Sequence, residues 1–150
     1  MGERMDLTIR KFRESDLDPL AGLLSDPAVM KYLEPPFSRQ KTAAFLRKAG
    51  LADPPRIYAA EEEGRFIGYV IFHKYDEDGM EIGWVLSPDC WGRGCASALT
   101  AELIGRAAAC GKAAVIECDP EQEASRRIAR EFGFAYEGRV DGLDVFRKKE

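Results

Sequence analysis

The residues Cys90-Trp91-Gly92-Arg93-Gly94-Cys95-Ala96 stand where an apolar, strand-like stretch gives way to a helical pattern. A glycine turn at such a junction gathers backbone N–H groups and the positive end of the helix onto one spot, which suits an anion and above all a phosphate. On these residues alone several readings stay open. One is a tight connection between two elements. Another is a dinucleotide fingerprint, because Gly92-x-Gly94-x-x-Ser97 approximates G-x-G-x-x-G and Glu117 or Asp119 follows about 20 residues on. Against the fingerprint, Ser97 replaces its third glycine, and five residues including Pro88 separate Leu86 from Gly92. A P-loop is excluded, since no Lys-Ser/Thr follows the glycines.

Acid–base chemistry needs a positioned proton acceptor, and Glu81 is the leading candidate. It follows Met80 in a strand pattern and points opposite to Ile82 and Trp84, away from the apolar side. His73 is a weaker candidate at the end of the preceding strand. The four cysteines, Cys90, Cys95, Cys110 and Cys118, show neither a C-x-x-C pair nor a disulfide framework. They read as reduced, small, mostly buried residues, and no metal is expected.

These groups need a scaffold, and 150 residues with 45% apolar content suffice for one domain, taken as residues 1–150. The 26 acidic and 22 basic residues are interspersed and sum to −4, so no basic stripe suggests nucleic acid, whereas a cationic small partner suits the sign. No stretch approaches the roughly 18 apolar residues of a membrane span, and a cytoplasmic location is expected.

Leu7 to Phe12 alternates as a strand, and Ser15 or Asp16 then caps a helix through Leu17, Leu20, Leu23 and Leu24 that Asp26-Pro27 ends. Ser38 caps a second helix reaching Gly50. Strand signals follow at Arg56 to Glu61, Phe66 to Tyr75 and Met80 to Leu86, with tight turns expected at Glu63-Gly64 and Asp78-Gly79. Ala96, Leu99, Leu103, Ala107 and Cys110 form a helical stripe ended by Gly111, and Ala113 to Cys118 reads as a buried strand. Asp119-Pro120 begins another helix, with Ser125, Ile128, Ala129 and Phe132 on one face and Arg126, Arg127 and Arg130 elsewhere. A hairpin around Asp141-Gly142 closes the chain. The order β-α-α-β-β-β-α-β-α-β-β defines an α+β (mixed α/β) class, and Met80 to Cys118 forms a βαβ-like unit with parallel strands.

The segment Ile82 to Ala96, with Trp91 at the head of a W-x-x-G-x-G/A-like core, resembles the GNAT superfamily of N-acetyltransferases, in the branch of the Rim-type ribosomal-protein N-terminal acetyltransferases. Glu117 to Arg127, followed by Phe132-Gly133-Phe134, is similar to that branch's second motif, N-x-x-S and then G-F. The opening Leu7 to Phe12 and the segment Pro27 to Pro36 extend the likeness over nearly the whole chain. Two sequence departures stand out: Gln122 replaces the motif's asparagine, and Ala129 stands where many relatives carry a tyrosine that protonates the leaving thiolate.

The resemblance implies acetyl-CoA as co-substrate and direct transfer of its acetyl group to a primary amine in a ternary complex. It implies a sheet that splays between its fourth and fifth strands, a pantetheine arm on the backbone at Val85 and Leu86, and a pyrophosphate on Trp91, Gly92, Arg93, Gly94, Cys95, Ala96 and Ser97. Gln122 and Ser125 complete the cofactor set. Tyr32, Glu34 and Phe37 are the implied acceptor-binding residues, with Glu81 as base. The base carries most of the burden for a lysine-like amine, which costs about 4 kcal/mol to deprotonate at neutral pH against about 1 kcal/mol for an α-amino group. A CoA-binding module without transferase activity and a nicotinamide-cofactor domain are the rival readings. The acceptor, a small molecule or a protein, and the oligomeric state, a homodimer included, stay open.

Overall fold

The computed structural model describes residues 6–149. Its strands are β1 (Leu7–Arg10), β2 (Ile57–Glu62), β3 (Arg65–Lys74), β4 (Gly79–Leu86), β5 (Ala113–Cys118), β6 (Ala135–Val140) and β7 (Leu143–Lys148). They form one seven-stranded sheet in the order β1-β2-β3-β4-β5-β7-β6, antiparallel except for the β4–β5 pair. The helices are α1 (Leu17–Leu24), the single turn α2 (Pro27–Met30), α3 (Arg39–Phe45) running into a π-type turn at Leu46–Gly50, α4 (Cys95–Ala109) and α5 (Glu123–Glu131).

Alternation along the central strands serves two apolar layers. On one face Ile82, Leu86, Ala114, Ile116 and Phe146 pack with Leu99 and Leu103 of α4. On the other, Ile57, Ala59, Tyr69 and Val85 pack with Leu20 and Leu24 of α1 and with Leu46 after α3. Each fully buried leucine contributes roughly 1.5–3 kcal/mol by leaving water, so the helices are held by packing on both sides of β4. That double cover fixes the position of the strand from which Glu81 projects.

Local signals act largely as read from the residues. The Ser38 hydroxyl accepts from the Lys41 N–H at 3.1 Å and caps α3. Glu63 and Gly64 adopt φ of 51° and 79°, the paired positive values a tight hairpin turn demands. The structure departs from expectation at five places. Asp16 does not cap α1 with its side chain; it accepts from the Arg13 N–H at 2.8 Å and takes two bonds from Arg10. Asp26, expected only to end α1, accepts from the Ala28 N–H at 2.9 Å and starts α2, with Pro27 at its first position. Asp78-Gly79 is not the tight turn: the loop closes from the Tyr75 N–H to the Gly79 carbonyl at 2.9 Å. Gly79 is instead paired with Ala113, where a Cβ would lie 2.6 Å from Arg147 Nη1 and 2.8 Å from Val115 Cγ2. Helix α5 begins at Glu123, after a turn in which Asp119 accepts from the Glu121 and Gln122 N–H groups at 2.9 Å each. Cys110, expected on the buried stripe of α4, is exposed at the helix end, while the other three thiols are buried.

Candidate active site

The parallel pairing of β4 with β5 runs only from Gly79↔Ala113 through Glu81↔Val115, although β4 continues to Leu86 and β5 to Cys118. The two strands therefore part just beyond Glu81. A cleft opens in the fork, bordered by Gly83 and Val85 of β4, by Glu81 and Glu117, and by Gln122 and Ser125 at the start of α5. At the far end of β4 the chain turns through Gly92 and Gly94, with φ of 73° and 85°, into α4. The first ladder bond of α4 runs from the Ala98 N–H to the Gly94 carbonyl at 3.1 Å. The helix end thus turns its amide dipoles toward the glycine turn, a place suited to an anion such as a phosphate.

The sequence-derived candidates are distributed around this cleft unevenly. Val85, Gln122 and Ser125 line it. Leu86 is buried on the α4 side, and its carbonyl accepts from the Trp91 indole N–H at 3.0 Å while the Trp91 ring is largely exposed. Arg93 is drawn to Glu62, with Nη2 2.7 Å from the carboxylate. Cys95 and Ala96 form the first turn of α4, and the Ser97 hydroxyl donates to Glu131 at 3.2 Å, tying α4 to α5. In the acceptor set, Glu34 meets Lys41 at 3.3 Å, and Tyr32 lies under the Lys31 ammonium. Phe37 is not brought to the cleft: its ring is buried, edge-on to Phe45 at 5.9 Å. Leu33, between these residues, is the member of the segment that lines the cleft.

Glu117 is the residue of the cleft that went unread as an acid–base group. Glu81 is paired with Val115, and Glu117 lies two residues beyond on β5, so all three share one face of the sheet. The Glu81 and Glu117 carboxyls lie within hydrogen-bonding reach of each other. Alternation in β5 was the available signal, but it needed the register across the parallel pair to become a contact.

Among the described residues, the cations near this pair are committed to other partners. His73 lies directly across from Glu81, its Nε2 3.4 Å from the carboxylate. Burial lowers the His73 pKa, opposed by the hydrogen bond to the Lys74 carbonyl. The contacts assign a neutral ring: Nδ1–H donates to Lys74 O at 2.9 Å, and Nε2 accepts from Arg56 at 3.3 Å. Arg147, whose backbone faces Val115, is spent on Asp76 at 2.6 Å and Glu137 at 3.0 Å. Desolvation, the largest cause for each, raises the pKa of both Glu81 and Glu117; the negative charge of Glu81 raises Glu117 further.

Residues 6–135 match the Acetyltransferase (GNAT) domain family. The chain is 30% identical over 137 residues to the uncharacterized N-acetyltransferase YnaD of Bacillus subtilis, a match covering 88% of this chain and 81% of that protein. A solved GNAT-family acetyltransferase from Bacillus anthracis superposes with a TM-score of 0.81 at 28% identity, over 97% of this chain and 95% of that one. RimL, a ribosomal L7/L12 alpha-N-protein acetyltransferase solved in complex with coenzyme A, shares the fold with a TM-score of 0.79 at 21% identity and 97% coverage of both chains. The chain belongs to the GNAT family of acetyltransferases. The family assignment removes the nicotinamide-cofactor reading. Among the described residues no helix is long and apolar enough to cross a membrane.

Proposed function

We propose that this protein moves the acetyl group of acetyl-CoA to a primary amine by direct attack within a ternary complex, with Glu81 as the general base. The observation that carries the proposal is the fork between β4 and β5, which opens beside the glycine turn and holds Glu81 at its base. Beyond Glu81, Gly83 and Val85 border the cleft, where their backbone suits the pantetheine arm and the thioester oxygen. The amides from Gly92 to Ser97 suit the pyrophosphate, the Trp91 N–H being donated to the Pro88 carbonyl at 3.1 Å. Arg93, tied to Glu62, adds charge there only by exchanging that partner.

The acceptor approaches from the face of α1 and α3, past Leu33, with Tyr32 and Glu34 beside it and Phe37 supporting the segment from the core. The carboxylates of Glu81, Glu117 and Glu34 favour a cationic amine. We place the enzyme in the cytoplasm, a compartment that keeps free thiols such as Cys110 unpaired.

The test is release of free thiol from acetyl-CoA in the presence of a panel of α-amines, lysine-like amines and polyamines, with the acetylated product identified by its mass. Thiol release dependent on an amine, with a matching product, is the expected result. Tight CoA binding without product from any amine favours the rival reading, a CoA-binding module; its motives are the buried Ala129, which has no ionisable group, and Gln122 in place of the motif's asparagine.

A further inference from the structure

We infer that Glu81 and Glu117 work as one proton-transfer group, in which the pair takes the proton of the acceptor amine, holds it between the two carboxyls, and delivers it to the departing thiolate. This rests on the acetyltransferase reading above and adds to it a second residue and the missing acid.

The geometry is that of a shared site. Both carboxyls project from the same sheet face at the fork, line the same cleft, and reach one another. Two carboxylates in contact repel when both are ionised, and a single proton between them relieves the repulsion. The groups facing the pair from every neighbouring strand leave that proton in demand. From β3, His73 is neutral and bonded through both nitrogens, and beyond it Tyr75 keeps its hydroxyl proton, its pKa raised by burial and by Glu117. Against burial, the hydrogen bond with Glu117 and then the charge of Arg56 lower Glu81, while Arg56 donates to His73. On β7, Arg147 is spent on Asp76 and Glu137, and Asp141 in the β6–β7 turn adds negative charge against Glu117.

The cleft needs an acid that its other side chains do not supply. The remaining O–H lining it is that of Ser125, far too weak an acid, and Ala129 has none. The Cys118 thiol lies in the apolar layer under α4 and α5, where burial pushes its pKa up to about 11.

The doubly ionised pair removes one proton from the acceptor ammonium, leaving a neutral amine and a singly charged, proton-sharing pair. The amine lone pair forms the C–N bond at the thioester carbon, and the C–S bond breaks with its electrons on sulfur. The shared proton passes to sulfur, which at a thiol pKa of about 8.5 is the stronger base, and the pair is doubly ionised again. The second proton on the new amide nitrogen goes to water, so one proton is released per turnover.

The test reads the carboxyls directly, by 13C NMR titration of the glutamate side chains in the protein without substrates, alongside the pH profile of kcat/KM. The expected result is that Glu81 and Glu117 each report two shared steps, the upper one above the ordinary glutamate value of about 4.3. In Glu117→Gln the Glu81 signal should collapse to one step at lower pH, the acid limb of kcat/KM should move down with it, and kcat at neutral pH should fall about 100-fold. Independent single-step titrations of the two residues in an active wild-type enzyme would overturn the pair, whether or not Glu117→Gln folds, as would an unmoved acid limb in that variant. A coupled titration in a protein that transfers no acetyl group would instead overturn the acetyltransferase reading, and the pair's catalytic role with it.

Discussion

Two sets of partly or fully buried carboxylates in this protein meet opposite fates. Asp16 takes the two terminal guanidinium nitrogens of Arg10 at 2.8 Å and the Arg13 N–H, and Asp144 collects Arg126 at 2.5 Å, Tyr136 at 3.0 Å and Arg139 at 3.1 Å. Glu81 and Glu117 have each other, a neutral histidine, and Arg56 only behind that histidine, to which it donates. The first set has its pKa values lowered: for Asp16 the hydrogen bond from Arg10 is the largest influence, and for Asp144 desolvation is the largest but is outweighed by the hydrogen bonds of Arg139 and Tyr136 together with the charge of Arg139 and Arg126. The second set has its values raised, with burial the largest influence. A buried carboxylate paired to guanidinium is locked in its charged form and holds elements together: Asp16 joins the end of β1 to the start of α1, and Asp144 joins β7 to α5 and β6. One left without a cation keeps a proton within reach of neutral pH, which chemistry needs and stability does not.

The largest effect on stability should come from breaking the first set. Asp16→Ala leaves Arg10 with Glu61 as its remaining carboxylate and should cost about 3 kcal/mol, a Tm loss of roughly 6–12 °C by calorimetry. Because Asp16 and Asp144 titrate lower in the folded state, their stabilisation is present above the ordinary carboxylate pKa and lost as pH falls through the folded values. Thermal stability should therefore decline steeply below about pH 4.

The second set predicts the reverse sign. A carboxyl whose folded pKa is raised favours the folded state at low pH, and that contribution is lost as pH rises from about 4.3 through the folded value. Glu81→Gln, which never ionises, should raise Tm at neutral pH by roughly 2–4 °C and give no gain near pH 4. A Tm gain that did not vary with pH would break the contrast between the two sets. The smallest effect is assigned to Arg93→Ala, which removes an exposed pair with Glu62: Tm should hold, and the KM for acetyl-CoA should rise a few-fold at unchanged kcat.

Much of this scaffold was legible from spacing alone. The strand periods, the Ser38 cap, the hairpins at Glu63-Gly64 and Asp141-Gly142 and the strand-to-helix glycine turn are encoded within a few residues of one another. What escaped depends on distant partners. Gly79 reads as a turn residue until Arg147 and Val115 are found crowding the space of its missing side chain. Arg126 reads as a solvated helix residue until Asp144 arrives from β7. Phe37 reads as part of an acceptor surface, yet Phe45, one helix later, draws it into the core. Glu81 was visible from alternation in its own strand, whereas Glu117 acquires its meaning only through the β4–β5 register, which sequence alternation leaves unspecified.

The most direct test is the rate of acetyl transfer by Glu81→Gln against wild type across pH, with a lysine-like amine and an α-amine as acceptors. The account predicts about a 100-fold loss near neutral pH for the lysine-like amine and a smaller loss for the α-amine, whose deprotonation is cheaper by about 3 kcal/mol. Equal rates for the two proteins at every pH and with both amines would contradict it.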